Sequence, residues 1–172
     1  GGTVSGTGSY RFGQTATLTA TAKTGYTFQG WFTSATFTGT PVSTETTYSH
    51  TFSTDASKTL YANFTANTYS LTIKLGTGVS KVTYQVAGGT ATAVTAQTTI
   101  TVAYSQTVKL TSAFSTGYEF ASFTTDGTIG ASSSNAYTFT YNVTNALTII
   151  ANAKKEVYKV AVHNYTVEFN GS

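Results

Sequence analysis

The sequence predicts an all-β chain, with at most a short helix, made of two small tandem modules. Three observations carry that expectation. Apolar and polar residues alternate with a period of two over most of the chain, the period that sends successive side chains to opposite faces of a strand. Threonine and serine supply about a third of the 172 residues, as suits solvent-facing strand positions. The third observation is an internal repeat. Gln14 to Trp31 aligns without a gap on Gln106 to Phe123, an offset of 106 − 14 = 92, and Ala62-Asn63 with Tyr69 falls on Ala151-Asn152 with Tyr158, an offset of 151 − 62 = 89. A chain that copies itself in this way is built of two like units.

Taken in order, Gly1 to Ser9 reads as a glycine-rich turn region, and Thr15 to Ala22 as a half-buried strand with Ala16, Leu18, Ala20 and Ala22 on one face. After the Thr24-Gly25 turn, Tyr26 to Phe32 is a strand whose alternation puts Tyr26, Phe28 and Gly30 on one face and Thr27, Gln29 and Trp31 on the other. Thr33 to Thr47, which holds the sole proline, Pro41, reads as a loop. Strands follow at Tyr48 to Ser53 and Lys58 to Phe64, then at Tyr69 to Leu75, Val79 to Ala87 and Thr98 to Tyr104. Gln85 to Ala96 is the one stretch that admits a short helix. The expected units are residues 1–66 and 67–156, with 157–172 as an extra strand segment.

Composition excludes several functions. Charged residues are only 9% of the chain, and no apolar run approaches the roughly 20 residues of a membrane-crossing helix. No basic-then-apolar segment opens the chain, so a secreted form is expected to have lost its signal peptide already. The basic residues behind the net charge of +3 are scattered, with only Lys154 and Lys155 adjacent, so no phosphate-tracking stripe for nucleic acid is expected. There is no cysteine, which removes disulfides and thiolate chemistry.

Candidate chemistry is thin. His50 and His163, the only histidines, sit in alternating stretches and read as strand residues rather than as bases. Gly6-Thr7-Gly8 and Gly76-Thr77-Gly78 lack the downstream residues of a phosphate loop and read as turns. Asp55 and Asp126 belong to no alternating acidic cluster, so no calcium site is expected. No cofactor, metal or catalytic residue is expected. Asn63, Asn142, Asn164 and Asn170 fit the glycosylation acceptor pattern. Phe32 and Phe37 are the aromatics least explained by the repeat and the candidates for stacking on glycans, whereas Tyr26, Phe28 and Trp31 recur as Tyr118, Phe120 and Phe123 and read as core.

Lys23-Thr24-Gly25-Tyr26-Thr27-Phe28-Gln29-Gly30-Trp31-Phe32, followed by Thr59-Leu60-Tyr61-Ala62-Asn63-Phe64, resembles the Listeria-Bacteroides repeat, the B-repeat of internalin-type surface proteins. The resemblance is strong in the first unit and weaker in the second, where Phe123 takes the place of the tryptophan. It implies small tandem β modules, β-grasp-like or sandwich-like, on secreted or cell-surface proteins, in stalks and adhesins, with no catalytic residues to carry over. The stretch Val86 to Thr99 departs from the pattern.

The phase of the repeat is the most informative feature. The second unit opens with the strand Tyr69 to Leu75, the first has no counterpart after Gly1, and Val157 to Phe169 matches such an opening strand. Two readings follow: a piece of a longer stalk taken out of phase, or a subunit whose Tyr158, Val160, Val162, Tyr165, Val167 and Phe169 complete the first unit of another copy, making a head-to-tail filament. The apolar phase changes near His163, where a bulge or bend is expected. Surface glycans are the alternative partner.

Overall fold

The computed structural model describes residues 1–54, 56–127 and 129–163. Strands β1 (Gly2–Ser5), β2 (Thr15–Ala22), β3 (Tyr26–Phe32), β4 (Thr47–Thr51) and β5 (Tyr61–Ala66) make the first unit. The second comprises β6 (Thr68–Leu75), β7 (Val79–Val86), β8 (Thr92–Val94), β9 (Thr98–Ala103), β10 (Thr107–Phe114), β11 (Tyr118–Thr125), β12 (Ala136–Thr140) and β13 (Leu147–Lys155). The described residues are all-β. No helix among them is long and apolar enough to cross a membrane.

The second unit is a sandwich. One sheet runs β12-β10-β7-β8 and the other β11-β13-β6-β9. Their inward residues share one core, with Val82, Val108, Leu110 and Phe139 from the first sheet meeting Leu71, Ile73, Phe123 and Ile149 from the second. Burying each such side chain contributes about 1.5–3 kcal/mol. Most pairings are antiparallel, but β6 lies parallel to β13, in register from Leu71 opposite Leu147 to Leu75 opposite Ala151. Tyr141 fastens β6 from inside: the single proton of its buried hydroxyl is shared between the carbonyls of Ser70 (3.1 Å) and Asn145 (3.0 Å), and burial holds that hydroxyl above its ordinary pKa of 10.0.

The first unit repeats this plan in part. Its sheets are β1-β2-β4 and β3-β5. Register identifies the counterparts: β2 matches β10, β3 matches β11, β4 matches β12 and β5 matches β13. Strand β1 takes the place of β7, because Val4 opposes Ala20 as Val82 opposes Ser112. Even the irregularities are shared. A bulge between Phe28 and Gly30 in β3 recurs between Phe120 and Ser122 in β11, and the bridge from Trp31 to Ser43 recurs from Phe123 to Ser132.

Four expectations are corrected. Gly2–Ser5 is a strand rather than a turn, because it finds partners along β2. Trp31 shares a side with Phe28, their rings 5.6 Å apart, because the bulge inserts an extra residue and reverses the alternation. Lys58 to Leu60 are not strand, so β5 starts at Tyr61. The stretch Gln85 to Ala96 holds no helix. It carries the end of β7, a turn at Ala87 and Gly88 with φ of 50° and 72°, and β8.

Candidate functional site, an open strand groove

Each strand of a sheet interior has two neighbours, and an edge strand offers unpaired amides and carbonyls on one side. In the second unit β13 lies between β11 and β6, whereas its counterpart β5 pairs, among the described residues, with β3 alone. The missing neighbour is the one that β6 supplies in parallel. Lys58, Thr59 and Leu60 correspond to Leu147, Thr148 and Ile149, the residues of β13 that pair with β6. Without such a partner their backbone is not drawn into a strand.

A cleft of about 300 Å³ lies beside this edge, lined by Val4, Ala16, Leu18, Trp31, Phe52 and Leu60 among others. Their counterparts by register are Val82, Val108, Leu110, Phe123, Tyr141 and Ile149, and all six are fully buried. They pack around Leu71 and Ile73 of β6, which are fully buried as well. The cleft is thus the volume that β6 fills in the second unit.

Side-chain differences between the units follow from this openness. At the mouth stand His50 and Lys58, where the second unit has Phe139 and Leu147. Lys58 Nζ lies 3.4 Å from His50 Nδ1 and 5.8 Å from the centre of the Tyr48 ring. Phe52 replaces Tyr141, whose hydroxyl would have no β6 carbonyl to reach, and it stacks instead on Tyr10 at 5.5 Å.

Residues 157–163 carry no regular pairing in the structure. Tyr158, Val160 and Val162 are 77%, 88% and 84% exposed, and the Tyr158 hydroxyl donates to the Glu156 carboxylate. Shifted by 89, these three residues fall on Tyr69, Leu71 and Ile73 of β6. Tyr165, Val167 and Phe169, with Asn164 and Asn170, lie outside the described residues, as does Asp55.

The other sequence candidates are dispersed. Phe32 is 7% exposed and therefore no open stacking platform; it is covered by Phe37, which is 40% exposed, the rings 5.7 Å apart. That burial corrects the reading of the two as an exposed pair. Asn63 is half-buried in β5 and Asn142 is exposed after β12. His163 is exposed and far in sequence from His50, and among the described residues no three His, Cys, Asp or Glu side chains gather as a metal site would need. Asp126 is committed to the fold, accepting the Thr148 amide at 2.7 Å. The groove itself was not foreseen from sequence, although the offset of 89 that sets Leu60 on Ile149 pointed toward it.

Residues 1–68 match the family model described as divergent InlB B-repeat domain. This B-repeat match covers β1 to β5, the unit that bears the groove, and it bears out the resemblance read from Lys23 to Phe32. No curated protein matches the chain. Among solved structures, the major pilin T-13 of Streptococcus pyogenes serotype GAS131465 overlaps at 15% identity with a TM-score of 0.36. The major pilin T3.2 of serotype GAS13637 does so at 12% and 0.29. Each overlap covers 80% of this chain and 66% of the pilin, so the chain spans just under two thirds of either. At these TM-scores neither likeness carries an argument about the B-repeat unit or its neighbour.

Proposed function

We propose that this chain is a non-catalytic extracellular structural protein whose copies join by strand addition, residues 157–163 of one copy lying parallel to β5 of another. One observation carries the reading: the groove beside β5 is lined by the counterparts of six fully buried core residues, and the strand that buries them in the second unit has a second, exposed version at residues 157–163. Transferring the β6–β13 register sets Val160 opposite Lys58 and Val162 opposite Leu60, so Val160 and Val162 occupy the places of Leu71 and Ile73. Main-chain hydrogen bonds along β5 supply adhesion for any strand, and the alternate side chains entering the cleft supply the choice of strand.

Head-to-tail contacts of this kind do not close on themselves, so the expected assembly is a filament. The test compares the full chain with a chain cut after Glu156, by light scattering and electron microscopy over a range of concentrations. Concentration-dependent filaments that vanish on truncation support the reading. A monomer at all concentrations, unchanged by truncation, rejects it.

A further inference from the structure

Strand addition would bring a second pair of surfaces together, and both are already present in the free chain. Where the two units of one chain meet, the Tyr104 ring lies directly over Gly25. A Cβ at Gly25 would fall 2.2 Å from Tyr104 Cγ, and the Tyr104 and Tyr26 rings meet edge to face at 5.8 Å and 75°. Three residues are laced by main-chain bonds: the Asn67 amide donates to the Gly25 carbonyl at 2.8 Å, and the Tyr104 amide donates to the Asn67 carbonyl at 2.8 Å.

The far end of the second unit repeats the first half of this joint. Gly117, with φ of 81°, matches Gly25 at 79°. The Glu156 amide donates to the Gly117 carbonyl at 3.0 Å, as Asn67 does to Gly25. Over Gly117, however, no heavy atom lies within 4 Å of a built Cβ. The socket is formed and nothing sits in it among the described residues.

The near end of the first unit repeats the other half. The turn from Arg11 to Gln14 copies that from Ala103 to Gln106. The Gly13 amide donates to Phe52 as Ser105 does to Tyr141, both at 2.8 Å, and the Gln14 amide donates to Arg11 as Gln106 does to Ala103. In each turn the glutamine side chain caps the opening amide, at 2.6 Å on Arg11 and 3.0 Å on Ala103. Gly13 and Ser105 both have positive φ, 79° and 69°. The residue in the place of Tyr104 is Phe12, which is 73% exposed. A large apolar ring on a well-bonded turn is thus left mostly facing water in the free chain.

We infer that Phe12 of one copy docks on the Gly117 turn of the next, edge-on to Tyr118, and that its amide donates to the Glu156 carbonyl. The occupant is a second copy of this chain because the socket and the ring are the two separated halves of a joint the chain already makes once. The inference rests on the strand-addition reading, which places residues 157–163 in the neighbouring groove as β6 is placed after Asn67, and so brings Gly117 to that neighbour's Phe12 turn. It adds a lock that sets the angle between copies, which a pair of hydrogen-bonded strands alone leaves free to twist.

The experiment measures the concentration dependence of assembly by sedimentation for six chains: unaltered, cut after Glu156, Phe12→Ala, Gly117→Asn, the double variant of these two, and Phe12→Tyr. Asparagine tolerates the left-handed backbone of Gly117 and fills the socket. Phe12→Ala and Gly117→Asn are each expected to weaken the contact at least about tenfold, as loss of an aromatic anchor does, with subunit melting unchanged. The double variant should be no weaker than the worse single one, since both break one contact. If truncation abolishes assembly while the two substitutions leave it untouched, strand addition stands and this lock falls. If truncation has no effect, strand addition falls and the lock with it. Rescue by Phe12→Tyr, which restores the residue type found at Tyr104, separates docking from an effect on the turn.

Discussion

Val4 and Val82 hold the same register position in two copies of one unit, yet the first is 51% exposed and the second fully buried. The difference is made elsewhere, by strands that only the second unit has: β8 pairs beside Val82, and β6 packs across the core from it. Of the 18 buried apolar residues among those described, 14 form the core of the second unit and only Ala16, Ala20, Trp31 and Phe32 belong to the first. Three strands of the second unit, β6, β8 and β9, have no counterpart among the described residues of the first, and of these β6 contributes Leu71 and Ile73 to the core and β9 contributes Val102. Two units with matching bulges and bridges can thus differ in how much of their apolar surface is shielded from water, and hence in how strongly they need a partner.

The largest expected effect breaks the comparison at its proposed remedy. Val160→Asp with Val162→Asp would put two charges into the cleft, where burial without a partner is prohibitive, so sedimentation should show complete loss of association. Melting of the isolated subunit should not move, because both valines are exposed in it.

Next come matched core deletions. Leu71→Ala should destabilise the second unit by about 2–5 kcal/mol, the range for a buried leucine. Leu18→Ala in the first, partly exposed beside the cleft, should cost about 1 kcal/mol. Trp31 is the sole tryptophan, so its fluorescence follows the first unit alone while circular dichroism follows both. Equal losses would erase the distinction between a closed and an open unit.

A smaller effect sharpens the comparison. Phe52→Tyr gives the first unit the hydroxyl that Tyr141 uses on Ser70. It should strengthen the contact between copies several-fold, by about 0.5–1.5 kcal/mol through one hydrogen bond to the carbonyl of Lys159. An unchanged dissociation constant would argue against the transferred register.

The smallest concerns acid. The Thr148 amide that Asp126 accepts holds its carboxyl below the ordinary value of 3.8. A carboxyl lowered by folding stabilises fully above its unfolded value, and that contribution is lost as pH falls through the lower folded one. Thermal melts of the second unit should therefore decline below about pH 3.8, and Asp126→Asn should flatten that decline slightly. A steeper decline in the variant would contradict the sign.

Much of this architecture was legible in the residues, and the losses have identifiable causes. β2 and β3 were read to the residue, because Ala16 to Ala22 alternate strictly and Tyr26 to Phe32 follow a glycine turn. β1 escaped because Gly2-Thr3-Val4-Ser5 carries no pattern of its own and becomes a strand only through β2. The face of Trp31 was misread because a bulge is a feature of pairing, and local alternation does not disclose it. Tyr158, Val160 and Val162 stood out through their phase. The groove they are proposed to fill did not, since Leu18 and Leu60 look like ordinary core residues until β5 is seen, among the described residues, to pair on one side only. Phe12 gave no signal for the same reason: the surface proposed to receive it lies on the other unit.

The parallel pairing of β6 and β13 has a mechanical consequence. Thr68 leads into the second unit and Lys155 leads out of it, so tension along the chain drags two adjacent strands in opposite directions along their common ladder. The rungs from Leu71 with Leu147 to Leu75 with Ala151 are then loaded together, whereas a hairpin pulled at its open end gives way one rung at a time. A segment laid parallel to β5 would place the joint between copies under the same shear. A thread of such subunits would resist stretching equally within each copy and between copies, and would part only when a whole ladder slid at once.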